Sequence, residues 1–191
     1  MQATHKHELT ILIAEDDDGH AELIQDNLRE AGIHNPLIRF TNGQEVLDFF
    51  FAPADLSNNS ARREHGRAYM LILDIRMPKV DGVEVLRQIK QDQELKKMPI
   101  VMLTTTDDPR EVSRCYQLGC SSYVTKPLDY RQFSEILNRL GLFLLVVQIP
   151  ALDGEQKNFE SNLNTAVSHR ERRAVTKDIQ LFKITCPAWH K

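Results

Sequence analysis

The chain has 191 residues, of which 41% are hydrophobic, enough for one domain with a substantial core and a tail beyond it. Its net charge of −3 is spread over both signs and sets up no field for nucleic acid or a membrane surface. No apolar stretch reaches the length of a membrane span, so partners in the aqueous phase are expected. Residues 1–8 read as a flexible polar N-terminus without a signal-type apolar segment. Cys115, Cys120 and Cys186 have no metal or redox spacing and read as reduced thiols of a cytoplasmic protein.

The first predicted strand is Leu9 to Ala14, and it runs into Glu15-Asp16-Asp17-Asp18. A helix follows, capped by Asp18, with Ala21, Ile24, Leu28 and Ala31 on one face and Gly32 as its left-handed stop. Pro36 to Phe40 is a second, shorter strand. Gln44 to Phe51 is a second helix, with Val46, Leu47, Phe50 and Phe51 predicted inward. Ala52 to Ala68 is long for a loop, and reads either as a tolerated insertion or as a partner-contact loop.

Met70 to Leu73 is an apolar run of the kind a buried parallel strand needs, and it ends in Asp74. Pro78 and Asp81-Gly82 then mark a loop and the start of a third helix, buried through Val85, Leu86 and Ile89. Ile100 to Leu103 ends in Thr104-Thr105-Thr106. Asp107-Asp108-Pro109 opens a fourth helix that Gly119 closes. Ser121 to Val124 is a short fifth strand leading to Lys126-Pro127. Phe133, Ile136, Leu137 and Leu140 mark the buried face of a fifth helix. Five strand–helix repeats predict a parallel sheet with right-handed crossovers, in which ligands bind outside the carboxyl ends of the strands.

Strand ends thus supply, in order, acids, an acid, a hydroxyl and an amine: Glu15-Asp16, Asp74, Thr104 and Lys126, with Met77-Pro78 and Asp81-Gly82 beside them. In these residues the chain resembles the receiver domain of two-component response regulators, over about Leu9 to Leu144. The resemblance implies an α/β, doubly wound, five-stranded parallel sheet of order 2-1-3-4-5. This flavodoxin-like receiver fold would span residues 9–144, with a C-terminal extension at 145–191.

It further implies that Asp74 is a phosphoacceptor and that Mg²⁺ is held by Glu15, Asp16, Asp74 and the backbone carbonyl of Arg76. Clustered carboxylates are themselves costly without a cation. Lys126 would place an ammonium on the new phosphoryl group, with the Lys126–Pro127 bond cis, and Thr104 would donate a hydroxyl. Tyr123, three residues before the lysine, is either a switch aromatic paired with Thr104 or ordinary strand packing. The implied partner is a sensor histidine kinase, and the long second loop resembles that of single-domain partners of phytochrome-type kinases. Such a domain is a switch of protein contacts that assists its own phosphorylation and dephosphorylation, not an enzyme acting on others.

The run Gly141 to Pro150 stays apolar beyond what one helix face needs. It reads as packing on its own domain or as a homodimer seam at 141–150. Residues 151–191 are polar and weakly patterned, and the extension is expected to be mostly disordered. Its basic cluster His169 to Arg173 reads as a solvated charge run before it reads as a nucleic-acid contact. A dehalogenase-type phosphatase would need a second Asp two residues after the first, and Arg76 stands there. A phosphorylation-independent binding module on the same scaffold is the remaining alternative.

Overall fold

The computed structural model describes residues 9–52, 63–64 and 66–152. The predicted N-terminal tail, the tip of the long second loop, the basic cluster at 169–173 and Cys186 lie outside the described residues. Five strands and five helices alternate: β1 Leu9–Ala14, α1 Asp18–Glu30, β2 Leu37–Phe40, α2 Gly43–Phe51, β3 Ala68–Leu73, α3 Gly82–Gln91, β4 Ile100–Thr104, α4 Pro109–Leu118, β5 Ser122–Thr125 and α5 Tyr130–Leu144. A single 3₁₀ turn, Leu95–Lys97, lies between α3 and β4. All neighbouring strands pair in parallel, in the order β2-β1-β3-β4-β5.

Each strand divides its side chains between two cores, because successive residues point to opposite faces. Ile11, Ile13, Met70, Ile72, Val101 and Leu103 meet α1 and α5 on one face. Leu12, Ala14, Leu71, Leu73, Ile100 and Met102 meet α2, α3 and Cys115 of α4 on the other. Burial on both faces explains why β1, β3 and β4 read as continuous apolar runs. The α1 and α5 helices approach closely at Gly141, where an added Cβ would lie 2.5 Å from the Ala31 side chain.

Helix starts follow short acceptors. Asp17, Asn42, Asp81, Asp108 and Asp129 each accept a backbone N–H of the first turn. The first cap is therefore Asp17, one residue before the predicted Asp18. Gly32 and Gly119 take positive φ just past α1 and α4, as their predicted stop positions require.

Two other expectations are corrected. Phe49, not Phe51, lies inward on α2, and Phe51 is exposed. Val46, Phe49 and Phe50 are spaced i, i+3 and i+4, whereas the fifth residue on turns away from that face. Phe49, Phe50 and Tyr69 then pack edge-to-face and Phe40 tilts against Phe49, with centroids 4.9–6.1 Å apart. The Lys126–Pro127 bond is trans, as are all peptide bonds among the described residues. Trans is the lower-energy form of an X–Pro bond by about 0.5–1 kcal/mol, and Lys126 reaches its carboxylate partners with it.

Packing continues past Leu144. Val147 and Ile149 lie against the α1–α5 core. Ala151 forms an antiparallel bridge to Ala68, the first residue of β3, and Leu152 exchanges backbone hydrogen bonds with Gly66 and Arg67. Leu152 is buried in the opposite core. The chain thus passes from one face of the sheet to the other beneath its amino end. No helix among the described residues is long and apolar enough to cross a membrane.

Candidate functional site

The carboxyl ends of the three central strands bring the predicted residues together. The β1–β3 ladder runs one step beyond β3, with the Asp74 N–H donating to the Ala14 carbonyl at 3.0 Å. That places Asp74 beside Glu15. The β4–β5 ladder likewise extends to Lys126, whose N–H donates to the Thr104 carbonyl at 2.7 Å. Parallel pairing of sequence-distant strands makes one pocket of residues 111 positions apart.

The Lys126 ammonium lies between two carboxylates, donating to Glu15 Oε2 and Asp74 Oδ2, both at 2.6 Å. All three side chains are buried. Asp74 Oδ1 accepts the Ile75 N–H at 2.6 Å and the Arg76 N–H at 3.3 Å. Burial pushes the Glu15 carboxyl up, and the hydrogen bond and charge of Lys126 oppose that rise. Glu15 Oε1 and Thr104 Oγ1 are buried without a hydrogen-bond partner.

Glu15, Asp16 and Asp74 each turn an oxygen into a common region, these atoms all lying within 4.8 Å of one another. Three carboxyl groups meet one ammonium in this pocket. The donors are hard oxygens, one of them buried and unpartnered, and Asp16 is open to solvent. This set fits a divalent cation that keeps part of its water shell.

The loop after Asp74 is pinned by two glycines. A Cβ on Gly82 would lie 2.0 Å from the Asp74 carbonyl oxygen, and one on Gly43 would lie 2.1 Å from that of Val80. The Gly82 N–H donates to the Ile75 carbonyl at 2.9 Å, closing the turn. Arg76, placed two residues past Asp74, reaches out to Glu111 of α4 at 3.3 Å. Tyr123 packs against the α2–α4 core, and its hydroxyl donates to the Thr106 carbonyl at 3.0 Å. Burial raises its phenol. Tyr123 therefore touches the loop that follows Thr104, without touching Thr104 itself through a hydrogen bond.

A model of the response regulator receiver domain matches residues 11–138, well over half of the chain. The chain belongs to the response regulator receiver family. Response regulator Rcp1 of Synechocystis sp. is 31% identical over 142 residues, covering 74% of this receiver and 92% of Rcp1. The crystal structure of Rcp1 in its Mn²⁺-bound form matches with a TM-score of 0.66 at 31% identity, over 74% of this chain and 99% of that one. A receiver domain from Rhodospirillum rubrum is 42% identical with a TM-score of 0.69, over 76% of this chain and 99% of its own. The phosphorylated cyanobacterial phytochrome response regulator RcpA is 27% identical with a TM-score of 0.64, over 74% and 97% of the two chains. The receiver is thus of the two-component response-regulator type, and its fold is the flavodoxin-like one expected.

Three contacts at this site had not been anticipated. His20, in the first turn of α1, has Nδ1 3.5 Å from Glu15 Oε1 and 3.8 Å from Asp17 Oδ1. These separations are too long for a hydrogen bond and attract only when the imidazole is protonated. Glu111 meets Arg76. Arg39 of β2 reaches the acidic loop. His20 is near its partners in sequence, three residues after Asp17 and five after Glu15, whereas Glu111 and Arg39 come from other elements and no local spacing announces them; a basic residue in an otherwise apolar edge strand is the visible signal for Arg39.

Proposed function

We propose that this receiver is an active, Mg²⁺-dependent phosphoacceptor, with Asp74 as the acceptor. One carboxylate oxygen of Asp74 attacks the phosphorus of a kinase phosphohistidine. The P–N bond breaks as the P–O bond forms, and the imidazole leaves. Glu15, Asp16, Asp74 and the Arg76 carbonyl would hold Mg²⁺, which when bound would offset the repulsion between an anionic nucleophile and an anionic donor. Lys126 pairs with a phosphoryl oxygen in place of part of its present contact with Asp74. The Thr104 hydroxyl, buried and without a partner, donates to another. Catalysis is positioning and charge stabilisation.

The added charge of about −2 is the signal. Movement of Thr104 is passed to the 104–108 loop, which Tyr123 grips through the Thr106 carbonyl. The receiver then shifts between two populations of contacts rather than turning over a substrate. The partner is a sensor histidine kinase, and likeness to Rcp1 and to the phytochrome response regulator RcpA favours a phytochrome-type one. Residues 9–144 act as the receiver unit and 145–191 as an extension. Exposed Leu142 and Leu145 support a homodimer contact within 141–150. The small, mixed net charge supports a protein that binds neither nucleic acid nor membrane, and the free thiols of Cys115 and Cys120 support a cytoplasmic one.

The observation that carries this reading is the meeting of Asp74, Lys126, Thr104 and the acidic pair at one sheet edge. Intact mass after incubation with acetyl phosphate and Mg²⁺ tests it. A single phosphoryl adduct is expected, absent from Asp74→Asn and from a sample held in EDTA. No adduct on folded protein, from acetyl phosphate or from a phosphorylated kinase, overturns it in favour of a phosphorylation-independent binding module.

A further inference from the structure

Arg39 stands in β2 in register with Ile13 of β1, one residue before the buried Phe40. Alternation puts its side chain on the same face as Leu37, toward the start of α1. Its guanidinium reaches four acceptor contacts in the acidic loop. Nε and Nη2 donate to the Glu15 carbonyl at 3.2 and 3.1 Å. Nη2 also donates to the Asp16 carbonyl at 3.3 Å, and Nη1 to Asp18 Oδ1 at 2.7 Å. Three-quarters of the side chain is covered.

The two carbonyl acceptors, of Glu15 and Asp16, lie between the last residue of β1, Ala14, and the first of α1, Asp18. The ladder reaches one step into this stretch, the Glu15 N–H donating to the Phe40 carbonyl at 3.0 Å, yet the stretch carries two of the three clustered carboxylates. Their mutual repulsion favours a loop that spreads them apart. We infer that Arg39 is a positioning residue: it clamps the Glu15 and Asp16 carbonyls so that both side chains stay convergent with Asp74, and thereby sets the affinity for a divalent cation. The inference rests on the reading of Glu15, Asp16 and Asp74 as the cation's ligands.

A planar fork is needed for this. Lysine carries the same charge but presents its donors from a single point, so it cannot span Glu15, Asp16 and Asp18 together. Charge and positioning also predict opposite signs. Removing a cation near the pocket should, on Coulomb's law alone, tighten the binding of a second cation. Losing the clamp should weaken it.

The test is direct titration with Mn²⁺, followed by the electron paramagnetic resonance of the free ion, on the full chain. Wild type, Arg39→Lys, Arg39→Gln and Asp16→Asn are compared, with thermal midpoints measured in EDTA. Both Arg39 variants should bind Mn²⁺ about tenfold more weakly, the usual cost of removing a group that orients metal ligands. Their metal-free midpoints should stay within about 3 °C of wild type, which corresponds to less than ~1 kcal/mol for a domain of this size. Wild-type affinity in Arg39→Lys, or tighter binding in Arg39→Gln, overturns the inference. Should Arg39→Gln fail to fold, Arg39→Lys decides alone. Equal binding by wild type and Asp16→Asn would instead overturn the underlying assignment of the ligands.

Discussion

Thr104 is fully buried with a hydroxyl that has no hydrogen-bond partner. An unsatisfied buried polar group costs about 1–3 kcal/mol, so this side chain is a poor choice for stability alone. Its position, at the end of β4 where its carbonyl accepts the Lys126 N–H, explains the choice if the missing partner is a phosphoryl oxygen. Thr104→Val keeps the shape and removes the orphaned oxygen. Urea unfolding of the unphosphorylated variant should show a stability equal to wild type or higher by up to about 1 kcal/mol. The change in chemical shifts of the 104–108 loop on phosphorylation should be lost. A clear loss of stability would mean that the hydroxyl has a structural partner, and would sink this account. Residues of this kind were legible because each terminates a strand: Glu15, Asp74 and Thr104 break apolar runs abruptly. Arg39 and Glu111 terminate nothing, and their relevance depends on where neighbouring elements come to rest.

At the scale of elements, the link from α3 to β4 is held by Lys90. Its ammonium donates to the Met98 carbonyl at 2.6 Å and to the Lys96 carbonyl at 3.0 Å, so it staples the 3₁₀ turn to the end of α3. Burial lowers its pKa from 10.5 to about 8. Between these values the folded state binds fewer protons than the unfolded one, so stability from this group rises with pH. Below about 8 the lysine is charged in both states and its desolvation penalty is fully present. Lys90→Met should lack the rise. Between pH 7.5 and 9 wild type should gain about 1 kcal/mol relative to the variant, read from urea midpoints at each pH. Parallel pH dependence in the two proteins would show that the lysine is not desolvated. The helical period itself was readable in α1, α3 and α5. It misplaced one residue in α2, where three consecutive phenylalanines offer no contrast and only the packing against Phe40 and Tyr69 selects Phe49 and Phe50.

For the whole molecule, the segment after α5 decides how the domain is closed. It crosses beneath the sheet and ends with Leu152 in the core opposite the helix it came from. The first residues of the extension, through Leu152, thus pack on the sheet domain. Leu152→Ala should lower stability by about 2–4 kcal/mol, the range for truncating a buried leucine, as measured by urea unfolding. A change below about 0.5 kcal/mol would mean that the crossing segment is held only loosely. The acidic site lies at the other end of the strands, so phosphorylation of this variant by acetyl phosphate should survive under native conditions.

The order of the elements, the two-faced sheet and the five residues that converge at its carboxyl end were determined by the sequence alone. Apolar runs long enough for a strand, separated by helical periods and stopped by acids, a threonine and a lysine, leave little else for a chain to do. Tertiary structure decided the rest. It selected which phenylalanines are covered, turned the Arg76 side chain toward α4, set Arg39 against the loop of another strand and carried Leu152 under the sheet. Local periodicity records only which residues share a face. Which distant surface that face will meet depends on how the elements pack, and that is settled by the fold as a whole.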